Sequence, residues 1–257
     1  LLHCKGEDGR MLASAWDRLN GETVFMYLLA AGASPDRAIA ADCWTALRPF
    51  YGTAGGSRFN NADLGLFVFQ YGLDLVNLVD WQAPGEVELW AEARLATLAN
   101  RQVCHDHADR FETYRRFWGL SAGDGPAEGG ATHAYRSYSP SQPIDGTAHI
   151  TASVASVAHA ADEVLENVYQ AQHDRRRTIR GAYGFSNVNL DRRWIARDMV
   201  GIDAGAAALA LDNFLMGGRV REVFHAIPCI AAAIERLGFQ RRDCTTETVP
   251  LASRLAG

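Results

Sequence analysis

Residues 201–215 read GIDAGAAALALDNFL, and this stretch indicates the fold class. A run of small apolar residues, 206–211, follows a single acid, Asp203, which lies between two glycines. Such a run is typical of a helix packed closely against its neighbours, so we predict a helix over 204–215. An aspartate at this position commonly caps the helix, but flanking glycines also leave room for a ligand to reach the acid. The sequence leaves both interpretations of Asp203 open.

Helical periodicity recurs along the chain, whereas strand signals are scarce. The other predicted helices cover residues 17–31, 40–47, 62–78, 86–105, 150–157, 161–177 and 220–237. The longest loop, residues 119–146, is rich in glycine, serine and proline, and long loops of this kind are usually functional or disordered. Consecutive helical hairpins predict an all-α fold whose hairpins form a ring or bundle, with loops at one end building a cleft.

The composition of the chain argues against several classes of partner. Its 257 residues suffice for one large domain, and 48% of them are hydrophobic. A formal net charge of −5 argues against a nucleic-acid partner, and the basic run 175–177 fits a solvated helix end. No apolar stretch is long enough and free enough of charge to span a membrane. Nucleotide-binding motifs and the G-x-S-x-G elbow of serine hydrolases are absent from the sequence, so no cofactor is expected.

Cysteine and histidine spacing predicts no metal site. The five cysteines (Cys4, Cys43, Cys104, Cys229 and Cys244) show no C-x-x-C spacing, although one disulfide stays possible. Residues 104–107 read CHDH, but the two histidines would diverge by about 200° on a helix. We therefore predict a polar helix end there.

An aromatic and amide-rich stretch lies upstream of Asp203. Tyr183, Phe185 and Trp194 offer flat faces, while Asn187 and Asn189 offer paired hydrogen-bond donors and acceptors. The faces of a sugar ring are apolar and its rim carries hydroxyl groups, so this mixture suits a carbohydrate.

Acidic residues elsewhere supply candidates for catalysis. Glu22 opens a predicted helix on a face shared with apolar residues, where a carboxylate needs a partner or a raised pKa. It is thus either a general acid, a glutamate favoured by the helix dipole, or half of an ion pair. Asp124 and Asp145 each follow aromatic residues in predicted tight turns, where turn chemistry is the alternative to ligand binding. Two separated carboxylates are what glycoside hydrolysis requires.

The order of these motifs resembles a known family. From the N-terminus, the motifs lie at residues 16–22, 27–35, 69–71, 96–102, 118–126, 145–147, 183–185 and 201–205. Together they resemble the glycoamylase-like family, whose characterised members include bacterial endo-β-1,2-glucanases.

The resemblance implies an (α/α)₆ toroid, or a large part of one, formed by a single domain over residues 1–257. It also implies hydrolysis of a β-linked glucan, with β-1,2-glucan favoured, and inversion at the anomeric carbon. The family's two catalytic acids map onto Glu22 and Asp203. The residues implied or suggested to bind substrate are Gln70, Tyr71, Trp118, Asp124, Asp145, Tyr183, Phe185, Asn187 and Trp194. A periplasmic or secreted location is expected if the protein behaves like the family.

Several positions depart from the family pattern. Gly21 replaces an asparagine, Leu73 a histidine and Ala204 a glutamine, changes that would remove polar groups from the cleft. Residues 90–93 replace an aromatic-Glu-Asn-Ser pattern. Nothing before Trp16 matches the family's N-terminal helices, so we expect those helices, or another chain, to complete the ring. A non-catalytic glycan-binding domain, or a scaffold domain of a larger glucan-processing protein, is the alternative.

Overall fold

A computed structural model describes residues 8–11, 16–127, 133–174 and 179–242. Helices dominate these ranges, in agreement with the helical periodicity of the sequence. They are α1 (Gly21–Ala31), α2 (Asp42–Thr45), α3 (Phe67–Gln70), α4 (Leu89–Asp106), α5 (Ile150–Val154), α6 (Ala161–His173), α7 (Gly201–Leu215), α8 (Arg219–His225) and α9 (Pro228–Leu237). A 3₁₀ turn covers Thr113–Arg115.

Strands in the described ranges form five two-stranded antiparallel ribbons. The pairs are β1 (Tyr51–Ala54) with β2 (Ser57–Asn60), β3 (Trp81–Gln82) with β10 (Gln240–Arg241), β4 (Gly123–Gly125) with β5 (Ala134–Arg136), β6 (Arg180–Gly181) with β7 (Gly184–Phe185), and β8 (Val188–Asn189) with β9 (Trp194–Ile195). Each strand has two to four residues, too short for a core sheet. The ribbons therefore shape the loops between helices.

Helix α1 begins at Gly21, four residues later than the sequence predicted. Its N-cap is Asn20, whose side-chain oxygen accepts a hydrogen bond of 2.9 Å from the Thr23 N–H. Such a cap satisfies one of the free N–H groups of the first turn and so determines where the helix begins. Val24 and Leu28 then bury the inner face of the helix.

The predicted helix over residues 62–78 is wrong in its length. Only α3 is helical there, and turns surround it. A Cβ atom on Gly72 would lie 1.7 Å from the carbonyl oxygen of Gly21, so the two backbones touch. Because only glycine permits this approach, the segment bends to fit α1 rather than continuing as a helix.

Several other helices begin or end at residues that differ from the predicted ones. The predicted helix over 220–237 is divided into α8 and α9 at Pro228, which occupies the first turn of α9. Helix α2 is shorter than the predicted 40–47, and α5 is shorter than 150–157. Helix α6 is described to His173, and the basic run 175–177 lies outside the described residues.

The polar helix end predicted for residues 104–107 is confirmed. Helix α4 ends at Asp106, and the ring of His107 bonds to the Val103 carbonyl at 2.9 Å. Cys43, Cys104 and Cys229 are free thiols, whereas Cys4 and Cys244 lie outside the described residues. In the part of the chain that is described, no helix has both the length and the apolar character needed to cross a membrane.

Contacts between helices connect the two ends of the chain. Helix α1 packs against α3 and α9, α5 packs against α6 and α7, and α8 lies between α7 and α9. The Gln70 amide links α3 to α5 by donating 2.7 Å hydrogen bonds to the Ala152 carbonyl and the Ser156 hydroxyl. Gln70 is buried, so its amide nitrogen serves the packing between these segments.

Small residues on α7 set its distance from α5. Ala206, Ala207 and Ala210 are buried, and α5 is the helix that contacts α7 most extensively. Alanine side chains let two helix backbones approach closely. On the same helix Asp203 is buried as well, whereas its neighbours Gly201 and Ile202 are exposed.

The contact between Gly21 and Gly72 predicts a large cost for any side chain at Gly72. Gly72→Ala should lower the free energy of unfolding by about 1–3 kcal/mol or more, because backbone atoms must move to admit the methyl group. Gly205→Ala is the matched control. Its Cβ would meet no atom within 4 Å on α7, so the same change should stabilise the protein by up to about 1 kcal/mol. Urea unfolding followed by circular dichroism measures both, and equal effects would contradict the close approach.

Candidate functional site

Asp203 is a buried acid inside a helix rather than a helix cap. It is the third residue of α7, and the N-cap position is occupied by Val200, which forms no side-chain cap. The cap interpretation is therefore wrong. Asp203 is only 3% exposed, and its side chain forms no hydrogen bond or ion pair with any other described residue. Burial raises the pKa of its carboxyl to about 7, so the group can hold or release a proton near neutral pH.

Tyr135 is influenced by the charges of both Asp203 and Asp124. Strands β4 and β5 place Asp124 directly opposite Tyr135, so Asp124 is in a strand and the predicted tight turn is wrong. Burial raises the pKa of the Tyr135 phenol, and the charges of Asp203 and Asp124 raise it further. Both acids therefore act on one phenol, which belongs to a side chain that is 61% exposed. A buried acid, an exposed aromatic ring and a second acid thus form one group.

A cavity of about 430 Å³ adjoins this group at Asp124. Its wall is formed by Asp124, His133, Arg193, Trp194, Ile195, Ala196, Arg197 and Asp198. Trp194, predicted to bind sugar, is half-buried at the start of β9. The cavity therefore combines an indole face with acidic and basic groups, the pairing that polyhydroxylated ligands require.

Three cavity residues could also hold a metal ion. One donor atom from each of Asp124, His133 and Asp198 lies within 4.8 Å of the other two. His133 Nε2 lies 3.7 Å from Asp198 Oδ2. The sequence patterns indicated Asp124 but not its grouping with His133 and Asp198, because Asp198 is distant in the chain and the three residues lack ligand spacing.

Hydrogen bonds connect the aromatic and amide-rich stretch before α7 to strand β4 and helix α5. The side-chain amide of Asn187 is buried and donates a 3.1 Å hydrogen bond to the Asp124 carbonyl, so it supports β4. The Phe185 N–H donates to the Thr151 hydroxyl at 3.2 Å, which attaches β7 to α5. Tyr183, at the turn between β6 and β7, is 80% exposed and thus accessible to a ligand.

Glu22 faces a different cavity. It is the second residue of α1, is half-buried, and borders a cavity of about 360 Å³ that is also lined by Trp16, Asp17, Arg18, Asn20, Thr23, Asp63, Leu64 and Val68. The two cavities share no lining residue in the described part of the chain. The face that carries Glu22 is only partly apolar and buried, since Leu29, one of its expected apolar neighbours, is 46% exposed.

The remaining predicted site residues have structural contacts. Trp118 is buried and its indole N–H donates to the Glu163 carbonyl at 3.4 Å. Asp145 accepts a 2.9 Å hydrogen bond from the Thr147 N–H and pairs with Arg136, which is the turn chemistry considered as its alternative. Tyr71 is half-buried and stacks on Phe67, with 5.2 Å between ring centroids.

Two departures from the family pattern lie in the core rather than in a cleft. A Cβ atom on Gly21 would be 2.9 Å from the Val68 carbonyl oxygen and 3.3 Å from the Leu73 side chain. Leu73 itself is buried. Gly21 and Leu73 therefore belong to one packed contact between α1 and the segment after α3, and the loss of polar groups there has a packing explanation.

Sequence reasoning missed Tyr135, His133 and Asp198. Tyr135 and His133 belong to the loop 119–146, which length and composition had marked as functional without indicating individual residues. Their placement follows from the pairing of β4 with β5, which brings Tyr135 opposite Asp124, eleven positions earlier in the chain. No local motif encodes that pairing.

Comparisons with known proteins find solved structures of similar fold. The chain matches the putative glucoamylase protein of Bacteroides uniformis at 25% identity, with a TM-score of 0.71 over 87% of this chain and 55% of that one. It matches the endo-β-1,2-glucanase of Chitinophaga pinensis, solved with sophorotriose and glucose, at 22% identity and a TM-score of 0.74, covering 86% of this chain and 55% of that one. It also matches the β-1,2-glucanase of Parabacteroides distasonis at 18% identity and a TM-score of 0.71, covering 87% of this chain and 34% of that one.

The chain thus spans about half the length of the first two solved relatives. No curated protein matches it. The sequence model of the Glycoamylase family, described as "Putative glucoamylase", matches residues 13–228, and this chain belongs to that family.

Proposed function

We propose that the protein is a glycoside hydrolase acting on a β-linked glucan, with β-1,2-glucan as the favoured substrate. The observation that carries the proposal is the buried carboxyl of Asp203, whose pKa is raised to about 7 beside Tyr135 and Asp124. A group that titrates near neutral pH next to an aromatic, polar cavity suits acid–base attack on a glycosidic bond. Similarity in fold to two β-1,2-glucanases supports the choice of substrate.

In this proposal Asp203 is the general base and Glu22 the general acid. Asp203 has no hydrogen bond or ion pair among the described residues, so little competes with a water molecule for its lone pairs. Its raised pKa makes it a stronger base than an exposed aspartate. Glu22 would protonate the leaving oxygen, and activation of water by Asp203 would invert the anomeric carbon. Inversion requires roughly 6.5–9.5 Å between the two carboxyl groups.

The proposal treats the two cavities as parts of one substrate groove. Glu22 borders Val68 beside α3, and the Gln70 amide attaches α3 to α5. Helix α5 in turn packs against α7, which carries Asp203. A glucan chain would lie across these connected elements. Trp194, Tyr135 and Tyr183 would stack on its sugar rings, and Asp124 would accept hydrogen bonds from its hydroxyl groups.

Activity measurements test these roles. On linear β-1,2-glucan, Asp203→Asn and Glu22→Gln should each lower kcat/KM by roughly 10²–10⁴-fold, the usual contribution of a positioned acid or base. Two matched controls should keep wild-type activity: Asp212→Asn on the same helix α7, and Glu86→Gln at an exposed position. Release of reducing sugar is the readout. Glucan binding without release by the wild type would favour the glycan-binding alternative instead.

The pH profile distinguishes base from acid. A base must be ionised, so kcat/KM should fall as the pH drops through about 7, the pKa of Asp203. An activity that stays constant as the pH falls from about 8 to about 5 would contradict the role of Asp203 as base.

We also propose that the chain is part of a single (α/α)₆ ring that further family helices, or another chain, complete. The exposed face of α7 carries Ala208, Leu211 and Leu215, and Leu215 is 68% exposed. Apolar side chains grouped in this way commonly mark an interface. The incomplete coverage of the solved relatives supports the same proposal.

Self-association tests whether this face needs a partner. The isolated chain should associate with increasing concentration, and Leu215→Lys should shift it towards monomer because a charge resists burial. Leu165→Lys, at an exposed position on α6, is the control and should leave association unchanged. Sedimentation velocity measures the distribution, and a concentration-independent monomer in the wild type would contradict the proposal.

A further inference from the structure

We propose that Asp124, His133 and Asp198 form a binding site for a divalent transition-metal ion such as Zn²⁺. The inference is independent of glucan hydrolysis. Each residue offers one donor atom, and the three atoms lie within 4.8 Å of one another. They come from three different segments: strand β4, the residue before β5, and the segment between β9 and α7. Asp124 and His133 belong to one hairpin, and Asp198 reaches them from a distant part of the chain, so the shape of the site depends on the fold.

Electrostatics favours a cation between these donors. Two carboxylates this close to each other repel, and His133 is positively charged only when it is protonated. Arg193 and Arg197 line the same cavity, but neither forms an ion pair with Asp124 or Asp198. The carboxylate lone pairs therefore stay available to a metal ion, although the two arginines lower the net negative charge around the site.

The donor set selects the class of metal. Imidazole nitrogen with two carboxylate oxygens suits zinc and neighbouring transition metals, whereas calcium prefers six to eight oxygen ligands. Zn²⁺ binds these donors at about 2.0–2.2 Å, so small side-chain rotations would bring the three atoms to coordination distance. Three protein ligands would leave a fourth position open towards the cavity that Trp194 lines.

A bound ion would connect the loop 119–146 to the segment that leads into α7. Asp124 and His133 belong to that loop, and Asp198 precedes Asp203 by five residues. The metal would therefore hold the two walls of the cavity at a fixed separation. Its effect on unfolding would be visible whether or not the protein cleaves glucan.

Calorimetric titration of chelator-treated protein with ZnCl₂ tests the site. The wild type should bind one Zn²⁺ per chain, and Asp198→Asn and His133→Gln should each weaken binding tenfold or more. Asp36→Asn and His173→Gln, at exposed positions away from the cavity, are the matched controls and should bind as the wild type does. Circular dichroism confirms that each variant is folded.

Thermal unfolding gives a second test of Zn²⁺ binding. Zn²⁺ should also raise the thermal unfolding midpoint of the wild type and of both controls, but not of the two ligand variants. Absence of saturable Zn²⁺ binding to the wild type, equal affinity in the ligand variants, or binding of Ca²⁺ in preference to Zn²⁺ would each overturn the proposal.

Discussion

Close packing of α7 on α5 is the constraint on which the candidate site depends. The alanines on the inner face of α7 let the two helices approach, and Asp203, in the first turn of α7, is buried with them. Asp203 lies in that turn, and the described structure gives it no cation to offset the loss of water. A carboxyl in this situation favours its neutral form, so helix packing sets the chemistry of the acid.

The loops then determine what surrounds this acid. Pairing of β4 with β5 brings Tyr135 next to Asp124, and the Asn187 amide supports β4 from the other side. The helices thus supply the buried acid, while the ribbons supply the aromatic and polar groups that a sugar could contact. This division agrees with the general tendency of binding residues to lie on loops held by a rigid scaffold.

The sequence predicted the parts of the fold that depend on local periodicity. Helices α4 and α7 were found because their apolar residues repeat at helical spacing over many residues. The bend around α3 was not predicted, because it follows from contact between Gly72 and Gly21, which are 51 positions apart in the sequence. The sequence also identified Asp203 but not its burial, since that depends on how α7 meets α5. Tyr135 was missed for the same reason, as only strand pairing brings it to the acids.

Family resemblance supplied the candidate acids, and the structure changes how the departures from the family are read. Gly21 and Leu73 contact each other in the core, so these two changes describe packing between α1 and the α3 segment. Ala204 is half-buried and next to Asp203, as Gly21 is next to Glu22. Packing thus accounts for two of the departures, Gly21 and Leu73.

A carbon-13 NMR titration of the aspartate side chains measures the state of Asp203 directly. Its carboxyl resonance is assigned as the signal that disappears in the Asp203→Asn variant. Burial without a cation predicts a titration midpoint near pH 7 for this signal. A midpoint near 4, the ordinary value for an exposed aspartate, would contradict the account. The carboxyl would then be fully ionised at neutral pH, which burial without a cation does not allow.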